Sequence, residues 1–304
     1  MRKINKACLF LIFTFVLSYS MAAIFYLIRT DNNNQVVFTL MAMVYMFFPF
    51  ISVIIVKTIH KERIFSDLSI SFKINRWFLV AWLIFPLFTF CTLGVSILFP
   101  EITYSPEMTG YFSRIEDMMP PETIEGVKAQ IGSIPTSVFI LLTLVQALIA
   151  GITINAIAGF GEEIGWRGFL LKEFKEMHFF KAALIIGSVW GIWHAPLILM
   201  GHNYPQHPQI GILMMTVYCI LLTPIIQYIT IKSKSVISAA IAHGTHNAIA
   251  GIAILLISGG NDLNSGTTGL PGFITLLIFN AGIFIYDYYI SKEKIMLNKI
   301  NNYL

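Results

Sequence analysis

An all-α, polytopic membrane helix bundle of about eight transmembrane helices is what the sequence predicts, on three observations. Charged residues make up only 12% of the 304 residues and hydrophobic ones 56%, against roughly 25% charged in a soluble globular domain. The apolar residues fall in runs long enough to cross roughly 30 Å of hydrocarbon, which takes about 20 residues of helix. In lipid each backbone N–H and C=O must find a partner inside the protein, so such runs are helical. This composition excludes a soluble enzyme, a disordered chain and a nucleic-acid binder. Cys8, Cys91 and Cys219 are odd in number and far apart, which suggests neither a disulfide framework nor a CxxC metal site.

The apolar segments lie near 8–28, 36–56, 77–99, 137–171, 180–200, 210–231, 236–257 and 271–290, each bounded by charges, prolines or Gly/Asn-rich turns. Short connections make them one transmembrane domain, 1–304, with a catalytic core expected over about 137–257. The first run is longer than the roughly 7–15 residues of a signal-peptide core and reads as a span. Lysine and arginine set the orientation, because positive loops stay cytoplasmic. With both termini inside, the cytoplasmic ends hold Arg2, Lys3 and Lys6, then Lys57, Lys61, Arg63, Lys73 and Arg76, then Lys172, Lys175 and Lys181, then Lys232 and Lys234, then Lys292, Lys294 and Lys299. Only Arg29, Arg114 and Lys128 fall outside. The outer connections 201–209 and 258–270 carry no Lys or Arg. The connection 100–136 is acidic through Glu101, Glu107, Glu116, Asp117, Glu122 and Glu125, and is expected to lie on the membrane or cap the bundle. The short loops, without added domain or organelle signal, point to a multi-pass protein of a bacterial plasma membrane.

An ionisable side chain inside a span costs roughly 2.5–3.5 kcal/mol, so those present mark function. The fourth segment carries Glu162-Glu163-Ile164-Gly165-Trp166-Arg167, where Glu163 and Arg167 stand at i, i+4 and can pair, leaving Glu162 turned about 100° away and free. The fifth carries Trp190-Gly191-Ile192-Trp193-His194, with Pro196 expected to kink the helix just after it. In the seventh, His243 and Asn247 share one helix face. Counting 1.5 Å per residue from the nearest cytoplasmic lysine puts Glu162 roughly 15 Å deep, His194 roughly 20 Å, and His243 and Asn247 roughly 14 and 20 Å. Taken singly, each histidine reads as an interhelical hydrogen-bond partner and the Glu-Arg pair as a buried salt bridge. Together, in one slab of the cytoplasmic half, they supply the parts for peptide hydrolysis. Glu162 can take a proton from water, His194 can hold that water, and His243 with Asn247 can donate to the oxyanion. His60, His178, His202 and His207 are expected to be solvated, and His246 to be a packing or hydrogen-bonding residue.

These three motifs, in this order on separate spans, resemble those of the CAAX protease and bacteriocin-processing (CPBP, or Abi) family of intramembrane endopeptidases, which includes the Ras-converting CAAX endopeptidase. The resemblance covers about 162 to 247. It implies a cavity open to the cytosol in which Glu162 and His194 activate water, His243 and Asn247 stabilise the oxyanion, and Glu163 with Arg167 supports the helix. It also implies a peptide or lipidated protein as substrate, of prenylated CAAX or leader-peptide type. Trp190 stands where the family often has phenylalanine. Glu162, His194 and His243 could in principle hold zinc, but no HExxH is present, and the expectation is no metal and no cofactor, with zinc the alternative. Two other classes are a non-catalytic immunity or scaffold protein of the membrane and a proton-coupled transporter, the latter without the inverted repeats that would favour it.

Overall fold

A computed structural model describes residues 5–28, 35–116 and 121–303. Arg2, Lys3, Arg29 and Asp117 lie outside them, as do the side chains of Arg114 and Glu122. The chain runs α1 (Lys6–Ile28), α2 (Gln35–Tyr45), α3 (Phe48–Ile59), α4 (Arg76–Ser96), β1 (Ile102–Tyr104), α5 (Thr109–Glu116), α6 (Pro121–Gly132), α7 (Thr136–Ile152) and α8 (Ile154–Glu163). A π-helical stretch, Ile164–Leu170, leads to the single turn α9 (Leu171–Glu173). There follow α10 (Phe179–Trp193), α11 (Ala195–Leu199), α12 (Pro208–Ser233), α13 (Val236–Ile249), α14 (Ile252–Leu255), β2 (Ile257–Gly259), α15 (Leu270–Tyr289) and two short 3-10 turns near the C-terminus.

The architecture is the all-α bundle expected. Among the described residues six helices are long and apolar enough to cross a membrane, or up to seven if the sharply bent pair Thr123–Gly132 and Thr136–Ile152 is one span. The two segments that depart from simple spans are those carrying Glu162 and His243. The run 137–171 breaks at Thr153, whose φ of −117° and ψ of −104° stop α7, and its second half holds the two glutamates and the arginine. The run 236–257 stops being regular helix at Ile249 after 14 residues. Polar residues at these places lower the apolarity of two of the elements that form the site.

Hydrogen bonds at the helix ends sort the connections into two faces. On one, Lys6 pairs with Glu62 and Lys172 with Asp67 (3.1 Å), Asn75 donates to the Ser233 carbonyl (3.0 Å), and Asn301 N–H donates to the Lys175 carbonyl (2.7 Å). The lysine-rich ends, the start of α1 and the C-terminal segment therefore share a face. Hydrogen bonds from Lys6 and Lys172 hold the Glu62 and Asp67 carboxyls below the usual range, although such solvated pairs add little stability. On the other face β1 pairs antiparallel with β2, the Thr136 hydroxyl donates to Pro106 O (3.0 Å), and the Tyr204 hydroxyl donates to Thr268 O (2.7 Å). There too Asn264 donates to Glu101 (2.9 Å). The connection 100–136 is thus stitched to 257–259 as a cap. His178 is exposed, as expected, but His60, His202 and His207 are half-buried rather than solvated. His207 bonds Asp262 through Nδ1 (2.6 Å), and the His202 ring lies 6.1 Å from that of Phe38.

Between apolar helices in lipid, association rests on close packing, which small residues permit. Gly187 and Gly191, one turn apart on α10, face the α12 backbone; a Cβ at Gly187 would lie 2.7 Å from Ile220 Cα, and one at Gly191 would strike Thr216. Because the obstacle is backbone, Gly187→Leu is expected to cost at least about 1–3 kcal/mol and to lower the thermal unfolding midpoint in detergent. An unchanged midpoint would contradict this packing.

Candidate active site

The site begins at the end of α8. Gly161 and Gly165 press this helix onto the α2–α3 junction, where added Cβ atoms would come 2.7 Å from Met46 O and 2.6 Å from Pro49 Cβ. Residues 161–171 are all buried, and the wider turn that follows Glu163 is of the kind found inside α-helices at functional sites. Glu163 accepts two hydrogen bonds at the same oxygen, Oε1: one from Arg167 Nη1 at 2.9 Å and one from His243 Nδ1 at 2.8 Å. The i, i+4 pair read from the sequence is present, and it also reaches α13. Arg167 donates through Nη2 to Thr223 on α12 (3.2 Å), whose own hydroxyl donates to Cys219 O.

Glu162 is not free. Its Oε2 accepts the indole N–H of Trp190 at 2.7 Å, and only 2% of the residue is exposed. Trp190 is the point where the groups meet. Its indole face receives the Arg167 guanidinium at 4.5 Å, its ring lies 5.5 Å from that of His243, and its carbonyl bonds His194 Nδ1 at 2.8 Å. A carbonyl can only accept, so His194 carries its proton on Nδ1 and the neutral ring presents an Nε2 lone pair. In the sequence Trp190 is legible only as the aromatic of its motif; the N–H that separates it from phenylalanine is what ties it to Glu162.

Helix α10 ends at Trp193 because Pro196 has no N–H to give the Ile192 carbonyl. The Tyr19 hydroxyl donates to that carbonyl instead (2.7 Å). Tyr45 donates to the next one, Trp193 O (2.7 Å), and the Trp193 indole N–H donates to Ser18 (2.8 Å). Helices α1 and α2, in which the sequence shows only hydropathy, therefore brace the backbone that presents His194. Pro196 is the one advance signal for Tyr19, since it leaves a carbonyl in need of a donor; Ser18 and Tyr45 have none.

His243 is 4% exposed, and α13 comes close enough because Gly244 has no Cβ to meet Ala156 N at 2.5 Å. His246 behaves as a packing residue, bonded to the Tyr218 hydroxyl and set between Phe85 and Phe88. Asn247 lies one turn beyond His243, with an exposed side chain. Glu162, Glu163, Arg167, His194 and His243 are thus joined through Trp190 and one another, whereas Asn247 is the one whose side chain is exposed. Among the described residues no three His, Cys, Asp or Glu side chains are grouped so as to hold a metal ion. Glu162, His194 and His243, the donors that the alternative zinc site would need, do not form such a set.

Removing one partner of a buried ion pair leaves the other charge unpaired and costs about 3–5 kcal/mol. Arg167→Met is therefore expected to destabilise the protein strongly, while Glu162→Gln, which keeps an acceptor for Trp190, is not. Thermal unfolding of both variants in detergent measures this, and equal midpoints would contradict the assignment of Arg167 as counter-ion.

Residues 138–249 match the family model described as type II CAAX prenyl endopeptidase Rce1-like. A CAAX prenyl protease 2 of Methanococcus maripaludis is 39% identical over 44 residues, which are 14% of this chain and 16% of that relative. The match thus spans about a sixth of the relative's length. The segment matched by the family model contains Glu162, Glu163, Arg167, His194, His243 and Asn247, and the likeness to that family extends over this segment.

Proposed function

We propose that the protein is an intramembrane endopeptidase that hydrolyses a peptide bond of a prenylated or otherwise membrane-anchored peptide. The observation that carries this reading is the attachment of Glu162 and His194 to the two ends of one residue, the indole N–H and the carbonyl of Trp190. With Oε2 held, Glu162 keeps Oε1 as proton acceptor; with Nδ1 held, His194 keeps the Nε2 lone pair. A water between them donates one O–H to each, which turns its own lone pairs toward a peptide carbonyl. Attack forms the C–O bond and passes the proton to Glu162. Collapse of the tetrahedral intermediate breaks the C–N bond and returns that proton to the leaving amine.

The oxyanion needs donors. Asn247 offers its amide N–H. His243 spends Nδ1–H on Glu163, so it donates through Nε2 only with both nitrogens protonated. The cluster then holds two negative charges, Glu162 and Glu163, and two positive ones, Arg167 and His243, a neutral sum suited to burial. The positive-inside rule supports a cytosolic lysine-rich face, and with it a site in the cytoplasmic half of the bilayer. The substrate class rests on the family and on the relative named a CAAX prenyl protease.

Purified protein in nanodiscs is expected to cleave a quenched fluorescent peptide library that includes prenylated CAAX peptides. Glu162→Gln is expected to lower kcat by about 10²–10⁴-fold, the scale of lost general-base catalysis, and Asn247→Ala by about 10²–10³-fold, the scale of one lost oxyanion donor. Full activity in Glu162→Gln would overturn the reading. Activity is expected to survive a strong chelator; loss restored by added zinc would overturn the metal-free mechanism. In Trp190→Phe an aromatic ring stays and the N–H goes. Such a bond to a charged group is worth about 1.5–3 kcal/mol, so kcat should fall about 10- to 100-fold with KM unchanged.

A further inference from the structure

A lateral groove of about 370 Å³ lies between α4, α12 and α15, away from the catalytic residues. At its mouth, on the lysine-rich face, stand Arg76, Trp77 and Tyr286. Its walls are apolar, with Val80, Ile84 and Ile283 half-buried. From Arg76 to Ile84 helix α4 rises about 12 Å, so the groove runs from the interface toward the bilayer centre. On α15 it is lined by Gly282, where an added Cβ would meet nothing within 4 Å.

The charge at the mouth is uncompensated. Arg76 is exposed, its guanidinium lies 5.8 Å from the Trp77 ring centre, and its polar contact is a long one, 3.5 Å to the Tyr286 hydroxyl. Among the described residues no carboxylate lies within ion-pairing distance of it. Lys232, 5.4 Å from the same ring, is by contrast already paired with Glu293. An apolar slot along the bilayer normal, interfacial aromatics at headgroup level and one unpaired guanidinium at the cytoplasmic side match the shape and charge of one molecule class. We propose that this groove seats an acidic phospholipid, with a phosphate oxygen accepting from Arg76 and an acyl chain lying beside Gly282. The site does not depend on the hydrolase reading.

Native mass spectrometry of the full chain, titrated in detergent with phosphatidylglycerol or phosphatidylcholine, tests the assignment. Wild type is expected to retain one phosphatidylglycerol with about fivefold preference over phosphatidylcholine, equivalent to the roughly 1 kcal/mol that one arginine gains at an anionic surface. Arg76→Gln should still bind lipid but without the preference, and Gly282→Leu, which fills the slot, should lose the retained lipid. Equal retention of the two lipids by wild type, or an unchanged preference in Arg76→Gln, would overturn the proposal. Should Gly282→Leu fail to fold, Arg76→Gln decides the matter alone.

Discussion

The double hydrogen bond at Glu163 Oε1 is the interaction on which the rest of the site depends. Arg167 reaches it from the next turn of the same segment and His243 from α13. One buried carboxylate thereby ties together two helices that already pack closely through Gly159 and Gly244. Without it Arg167 would have no counter-ion over the Trp190 ring, and His243 no acceptor for its Nδ1–H. Desolvating such charges is expensive, and a bundle keeps them only where their arrangement is used.

Trp190 carries this order one step further. A single residue anchors Glu162 through its indole N–H, His194 through its carbonyl, and the Arg167 guanidinium through its ring face. The segment carrying Glu162 and Arg167 and the end of α10 carrying His194 are therefore referenced to one residue. Glycines allow the approach: Gly161 and Gly165 toward the α2–α3 junction, Gly187 and Gly191 toward α12, Gly244 toward α8. Preorganisation of this kind is what lets fixed dipoles act on a developing charge without rearrangement.

Much of this was readable in advance. Apolar runs and lysine bias foretold the bundle and its two faces, and the spacing of Glu163 and Arg167 foretold their ion pair. Motif order brought His194 and His243 into the same account. The remainder lay in contacts between distant parts of the chain, which periodicity does not encode. Nothing local marks Thr153 as a helix break, Ser18 and Tyr45 as supports of the His194 backbone, or 257–259 as the strand partner of 102–104. The supposedly free Glu162 fell to the same cause, because its partner is 28 residues away on another helix. His60, His202 and His207, assigned to loops and so to water, are half-buried because those loops fold back onto the bundle.

In the proposed mechanism Glu162 activates water rather than attacking the substrate itself. A single-turnover cleavage in ¹⁸O-labelled water, with enzyme in excess over a cleavable peptide, tests it directly. The account predicts one ¹⁸O in the new carboxylate of the first-turnover product and none in Glu162. A first-turnover product without the label, with ¹⁸O found in the Glu162 carboxylate, would contradict it and make that residue a nucleophile.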